Sequence, residues 1–292
     1  MKFQDFLRLT LLAAIWGASY IFLRIASPVL APAFLIELRV GLAGIALVLY
    51  AIVARKHFKS DGKILPFFII GALNSAIPFT LISTATIHLT ASYGAVINST
   101  TPLFTALVAA IWLKDSLSWL RSLGLLMGLV GVVVLVGLSP LPLNEEVILS
   151  IALALIASLC FGISGVYIKL ALRNTTSLTL ATWQQLAAGI LLLPMAATGV
   201  PASFPSWEVV VSVLGLAFLS TSIGYLLFFR LIQSVGPTRT SAVTFLVPVF
   251  SIVWGMIFLN ESVSLGMLLG FGIVLASVAL VTELKFRQPK HL

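Results

Sequence analysis

Ten apolar runs, each about twenty residues long and each closed by a short polar break, limit this chain more than any motif in it. They fall at about 7–26, 33–54, 64–84, 91–112, 119–138, 147–169, 177–198, 207–229, 239–259 and 264–282. A helix rises ~1.5 Å per residue, so about twenty residues cross the ~30 Å hydrocarbon core of a bilayer. Such runs also occur as buried core in large soluble proteins, and composition decides between the two. Of 292 residues, 60% are hydrophobic before the 21 Gly are counted, and only 9% are charged. Soluble domains carry roughly 25% charged residues. Too few charges remain to coat a water-facing surface. The expected fold class is an all-α integral membrane protein whose solvent is the lipid bilayer.

Part of the chain is written twice. The stretch from Gly94 to Val136, moved forward by 146 positions, lies on Thr240 to Thr282. Pro102 then falls on Pro248, Phe104 on Phe250, Asp115 on Glu261, Ser116 on Ser262, Ser118 on Ser264 and Gly124 on Gly270. Near the N-terminus, Trp16-Gly17-Ala18-Ser19 recurs as Phe161-Gly162-Ile163-Ser164 at offset 145, and Arg24 recurs as Lys169. Lys2 and Arg8 ahead of an apolar run have the look of a cleavable signal peptide. A segment with a twin deep in the chain is expected instead to stay as the first span. The two units run over 7–138 and 147–282, joined by a Pro-rich linker from Ser139 to Glu146.

Lys and Arg set the orientation. With the N-terminus in the cytoplasm, 15 of the 17 fall in cytoplasmic segments, and the outer breaks hold none. Only Arg24 and Arg39 remain, near the outer end of the first hairpin. The net charge of +8 is thereby explained by orientation, and no nucleic-acid partner is implied. Because five spans is an odd number, the second unit enters the membrane in the opposite sense. The expected architecture is ten transmembrane helices as two inverted-topology five-helix repeats, with both termini cytoplasmic. Inverted repeats typically hold a site near the midplane at their interface, exposed to the two sides in turn. Transport of a small molecule is thus inferred from topology before any motif.

The chain combines Trp16-Gly17-x-Ser19 with Arg39 in the second span and Pro102 and Pro248 in mid-span. It adds an acid at each hairpin turn (Asp115, Glu261), followed by Gly124 or Gly270. This pattern resembles the EamA family of the drug/metabolite transporter superfamily, over essentially the whole chain as two tandem units. The resemblance implies ten helices around a central cavity and export of small metabolites without ATP. The expected location is the bacterial cytoplasmic (inner) membrane. One departure is Lys114-Asp115 at the first turn, where the family usually shows Glu; at an exposed turn the change is expected to cost little.

Within the spans, three prolines come first. Proline removes a helical hydrogen bond and pushes against the carbonyl four residues back. For Pro78, Pro102 and Pro248 those carbonyls belong to Asn74, Asn98 and Thr244. A freed carbonyl in hydrocarbon needs protein or a watery cavity. The expectation is a polar ring at the midplane with the prolines as kinks or gates; helix–helix packing is the alternative. Trp16 and Phe161, with Ser19 and Ser164 one turn on and with Tyr20 and Tyr225, supply amphipathic lining suited to organic molecules. Gln184 and Gln185 lie mid-span, where an amide must face protein or water. Arg39 and Glu37 are intramembrane charges, read as site residues, with a structural pair between Glu37 and Arg24 as the alternative. His88, near an outer break, is a weaker candidate for a proton switch.

No phosphate-binding loop, no His-Glu-x-x-His and no convincing carboxylate pair is present in the sequence, so neither ATP driving nor an enzyme is expected. The single Cys160 permits no intrachain disulfide. No cofactor and no metal are expected. A neutral or zwitterionic metabolite such as an amino acid suits the Asn, Gln, Thr and aromatic complement. Import or facilitated diffusion, efflux of amphipathic drugs, proton coupling and the oligomeric state stay open, with an intramembrane enzyme the remotest alternative.

Overall fold

The computed structural model describes residues 3–114, 118–138, 142, 144–235, 240 and 243–281. Lys2, Asp115, Ser116, Arg239, Lys285, Arg287, Lys290 and part of the 139–146 linker lie outside the described residues. Every element among the described residues is helical. Eight helices are long and apolar enough to cross a membrane. They are α1 (Phe3–Ala26), α2 (Pro32–Val53), α3 (Ile64–Ala85), α4 (Ala91–Trp112), α5 (Trp119–Gly137), α6 (Glu145–Ala171), α7 (Ser177–Ala197) and α8 (Trp207–Phe228). Two shorter apolar helices follow, α9 (Val243–Leu259) and α10 (Leu265–Val281).

Short polar side chains start several of these helices. Thr90, Ser118, Asn144 and Thr176 accept from the N–H groups of Tyr93, Arg121, Val147 and Thr179 at the heads of α4, α5, α6 and α7. Each satisfies a first-turn donor that no helical carbonyl reaches.

Three of the long helices are interrupted. α3 and α8 turn π-helical over Ala72–Ala76 and Gly215–Ile223, at matching places in the two halves. In α8 the hydroxyls of Thr221 and Ser222 donate to the carbonyls of Leu216 and Ala217, five residues back. The wider turn thus leaves those oxygens satisfied where water is scarce. α4 breaks at Ser99-Thr100, and Pro102 opens its second part, Thr101–Trp112. There the missing N–H costs nothing, and the Asn98 carbonyl accepts from the Thr101 hydroxyl at 2.8 Å. Pro78 likewise opens Ile77–Ala85 beyond the π turn. Of the three mid-span prolines only Pro248 sits inside a continuous helix. Pro78 and Pro102 therefore start helical segments rather than kink unbroken ones.

Packing follows the repeat. α2 lies on α7 and α5 on α10, each against its own equivalent. α1 lies on α9 and α8, as α6 lies on α4 and α3. Glycines allow the closest approaches. Gly17 of α1 abuts Phe250 and Ser251, and Gly162 of α6 abuts Phe104 and Thr105, equivalent contacts in the two halves. A Cβ on Gly17 would fall 2.8 Å from Phe250 Cβ, and one on Gly162 would fall 2.8 Å from the Thr105 nitrogen. Between α5 and α10, Gly124 meets Ser277 and Val281, Gly131 meets Val274, and Gly270 meets Leu135. Lipid tails are as apolar as leucine, so such close van der Waals contact is what holds membrane helices together. The outer faces are apolar too: Leu126, Leu129 and Val133 of α5 and Leu268 and Leu269 of α10 are exposed.

Candidate functional site

A cavity of about 380 Å³ opens at the centre of the bundle, walled by both halves of the chain. The first half contributes Trp16, Ser19 and Tyr20 from α1, Arg39 from α2, Asn74 and Phe79 from α3, and Asn98 and Thr101 from α4. The second half contributes Phe161 from α6, Ser220, Tyr225 and Phe228 from the α8 region, and Thr244 and Pro248 from α9. Its wall is thus aromatic, with hydroxyls, amides and one guanidinium set into it.

The aromatic side is built around Trp16. Its indole Nε1 donates to the Ser220 carbonyl at 3.0 Å. Its ring meets Tyr225 edge-on with centroids 6.3 Å apart and Phe228 at 5.4 Å. Gly224 makes room for it, because a Cβ there would come within 2.6 Å of the indole nitrogen. Phe79 and Phe161 meet edge-on at 5.9 Å on another part of the wall.

The polar side depends on a residue behind the wall. Gln184 of α7 is fully buried. Its Oε1 accepts from Asn74 Nδ2 at 2.8 Å, and its Nε2 donates to Ser75 Oγ at 2.9 Å and to the Tyr225 hydroxyl at 3.0 Å. One amide therefore orients a cavity residue from each half. Asn98 Oδ1 accepts from Ser158 at 3.3 Å. Arg39 is only 6% exposed. Its Nε donates to Thr221 Oγ1 at 3.1 Å, and its guanidinium carbon lies 3.8 Å from the centre of the Phe79 ring. No carboxylate pairs with it among the described residues. No group of three or more His, Cys, Asp or Glu among the described residues is placed to hold a metal.

The cavity combines dimensions, aromatic lining and convergent polar groups in the way small-molecule sites do. The chain matches the family described as the EamA-like transporter family over residues 7–137 and again over 148–283. It belongs to that family. Among relatives of this EamA-like chain is an uncharacterized transporter of Bacillus subtilis, YoaV, 22% identical and matched over 88% of this chain and 89% of its own. Protein PecM of Dickeya dadantii is 25% identical over 97% of this chain and 93% of its own. The uncharacterized inner membrane transporter YedA of Escherichia coli is 26% identical over 99% and 95%. A solved crystal structure with 15% identity has the same fold, at a TM-score of 0.68 covering 97% of this chain and 98% of that one. The chain is thus an integral membrane protein of a transporter family.

Of the residues singled out in the EamA-like sequence, Trp16, Ser19, Tyr20, Arg39, Asn74, Asn98, Phe161, Tyr225, Thr244 and Pro248 come together on the cavity wall. The others do not reach it. Successive helix residues point about 100° apart, so the adjacent amides of α7 part company. Gln184 stands directly behind the wall, while Gln185 is buried elsewhere with neither amide atom partnered among the described residues. Ser164 is buried and unpartnered among the described residues, although its equivalent Ser19 lines the cavity. Pro78 and Pro102 act on the backbone instead.

The alternative of an ion pair between Glu37 and Arg24 is not realised among the described residues. Arg24 instead donates to the carbonyls of Thr86 and Ile87 at 2.7 and 2.5 Å, closing the end of α3. Glu37 is half-buried and away from the cavity. Its carboxylate rests against Gly41 and Gly189 between α2 and α7. His88 lies at the surface with Nδ1 3.3 Å from Glu146 Oε2. The acid of the second hairpin turn is no exposed residue either. Glu261 accepts from the N–H groups of Ala91 and Ser92 and from the Ser92 hydroxyl, at 2.7, 3.1 and 2.6 Å. It thereby caps the start of α4.

Sequence reasoning passed over Phe79, Phe228 and the Ser220-Thr221 pair. The aromatics carry no signal in a chain this apolar. Three hydroxyls in a row, Ser220-Thr221-Ser222, inside an apolar run were a detectable sign of interior polarity.

Proposed function

We propose that the chain is a secondary-active exporter of small organic metabolites, amino acids and related neutral or zwitterionic compounds, working by alternating access through the central cavity. Its ten helices cross the membrane as two inverted five-helix repeats over 7–138 and 147–282, with both termini in the cytoplasm of a bacterial cell. The observation that carries this reading is the composition of the cavity wall, to which both halves contribute aromatic and polar groups. The reciprocal contacts of Gly17 with Phe250 and of Gly162 with Phe104 support two-fold related halves. Halves so related have two equivalent ways of closing on a central site. The Lys and Arg distribution supports the orientation. An ion gradient, protons included, drives the cycle.

The test is counterflow in proteoliposomes. Vesicles loaded with a panel of unlabelled amino acids should accumulate the matching labelled compound, and an imposed pH gradient should change the rate. Equal accumulation in vesicles carrying an Asn74→Ala, Asn98→Ala double variant would remove the cavity from the transport path. A complete lack of counterflow across the panel would refute the substrate assignment.

A further inference from the structure

We infer that Arg39 and Phe79 form an anion subsite within this cavity, which takes the carboxylate of an amino acid or related substrate with an apolar or aromatic body. The inference rests on the cavity being the substrate site and goes on to name the group it recognises. Arg39 is an intramembrane charge, and such charges ordinarily find a counter-ion, a backbone carbonyl or water. Here Glu37, two residues earlier on the same helix, points toward Gly41 and Gly189 rather than to Arg39. Two other acids are engaged elsewhere: Glu261 caps α4, and Asp5 pairs with Arg8. The guanidinium has one hydrogen bond, from Nε to Thr221, and one aromatic face beneath it. Among the described residues its Nη1 and Nη2 make no hydrogen bond.

That geometry suits one ligand group. Thr221 and the Phe79 ring fix the plane of the guanidinium and leave two parallel N–H donors for a planar carboxylate, which takes them as a bidentate pair. A phosphate monoester suits it less, because no Lys and no second Arg lines the cavity to meet its further charge. An amine without a carboxylate suits it least: the lining holds a cation and no acid. The remainder of the ligand faces Trp16, Phe161 and Phe228, an apolar surface able to hold an aromatic or branched aliphatic body. A carboxylate there gives the two Nη groups a charge-matched partner.

Binding to purified protein in lipid nanodiscs, measured by isothermal titration, separates this from transport. The probes are 3-phenylpropionate, its amide 3-phenylpropionamide, and phenethylamine, which share one aromatic body and differ in head group. The carboxylate should bind at least tenfold more tightly than the amide, and the amine should not bind measurably. Arg39→Gln should abolish the preference by weakening the carboxylate and sparing the amide. Arg39→Lys keeps the charge without the fork and should retain part of the preference. Should Arg39→Gln fail to fold, Phe79→Leu removes the seat under the guanidinium and should lower the carboxylate-to-amide ratio severalfold. Equal affinity for acid and amide, preference for the amine, no binding of any probe, or a preference that survives Arg39→Gln would each overturn the inference. Carboxylate binding without counterflow of any amino acid in the panel would leave the subsite standing and refute the substrate assignment.

Discussion

Gln184 and Gln185 are neighbours of identical chemistry, both fully buried in α7, yet replacing them should shift stability in opposite directions. Methionine approximates the length and volume of glutamine without its amide, so Gln→Met at each position isolates the polar contribution. Gln184→Met removes the partner of three groups at once. Ser75, which is fully buried, is left without that bond at a cost of ~1–3 kcal/mol. Asn74 and Tyr225 border the cavity, where water takes over, so each loses only ~0.5–1.5 kcal/mol. Together these losses come to ~2–6 kcal/mol. At Gln185 neither amide atom has a partner among the described residues, so the folded state already bears the cost of burying them. Gln185→Met relieves ~1–3 kcal/mol. Thermal unfolding followed by intrinsic tryptophan fluorescence in one detergent should show the first variant melting below the parent and the second above it. Both melting lower by similar amounts would refute the division of roles drawn between these two side chains.

Three further outcomes are expected. Gly224→Ala pushes a methyl group to within 2.6 Å of the Trp16 indole nitrogen; it should displace that ring, break its bond to Ser220 and cut counterflow at least severalfold while the protein still folds, as size-exclusion chromatography would show. Gly17→Ala and Gly162→Ala each put a methyl group within 2.8 Å of the facing helix, so each should cost ~1–3 kcal/mol of overpacking, and strongly unequal losses of melting temperature would count against equivalent halves. Cysteines at Ser60 and Ser206, in a background lacking Cys160, should react with an impermeant maleimide from opposite sides of the membrane, Ser60 from the cytoplasm; labelling of both from one side would overturn the ten-span orientation.

What a single sequence discloses here is whatever can be expressed along one dimension. The lengths of the apolar runs, the offset of 145 to 146 and the rarity of charge point to a membrane protein, and Arg39 stands out because a charge inside a span is rare. Ten of the residues expected near a central site do share one wall. The failures concern direction. Whether Gln184 or Gln185 faces the interior depends on the rotation of α7 against α3 and α8, which no pattern of apolar residues fixes when every face of the helix is apolar. The same holds for Glu37, whose place against Gly189 follows from how closely α2 approaches α7. Arg24 was legible as a charge near a span end but not as a cap, because its partners are backbone carbonyls of Thr86 and Ile87 and leave no trace in side-chain chemistry. Phe79 was invisible for the opposite reason: one phenylalanine among 19 draws no notice until a guanidinium lies over it.

The meeting of α5 and α10 has a consequence for how this chain can diverge. Backbone meets side chain there at Gly124, Gly131 and Gly270, so the seam has no spare volume, and a single added methyl group forces a whole helix to move. One or two residues away on the same helices, Leu126, Leu129, Val133, Leu268 and Leu269 face outward, where lipid conforms to any apolar shape. Substitutions should therefore accumulate freely on one side of each helix and be nearly forbidden on the other. Two helices that contribute nothing to the cavity wall would then be among the least and the most variable parts of the protein at once.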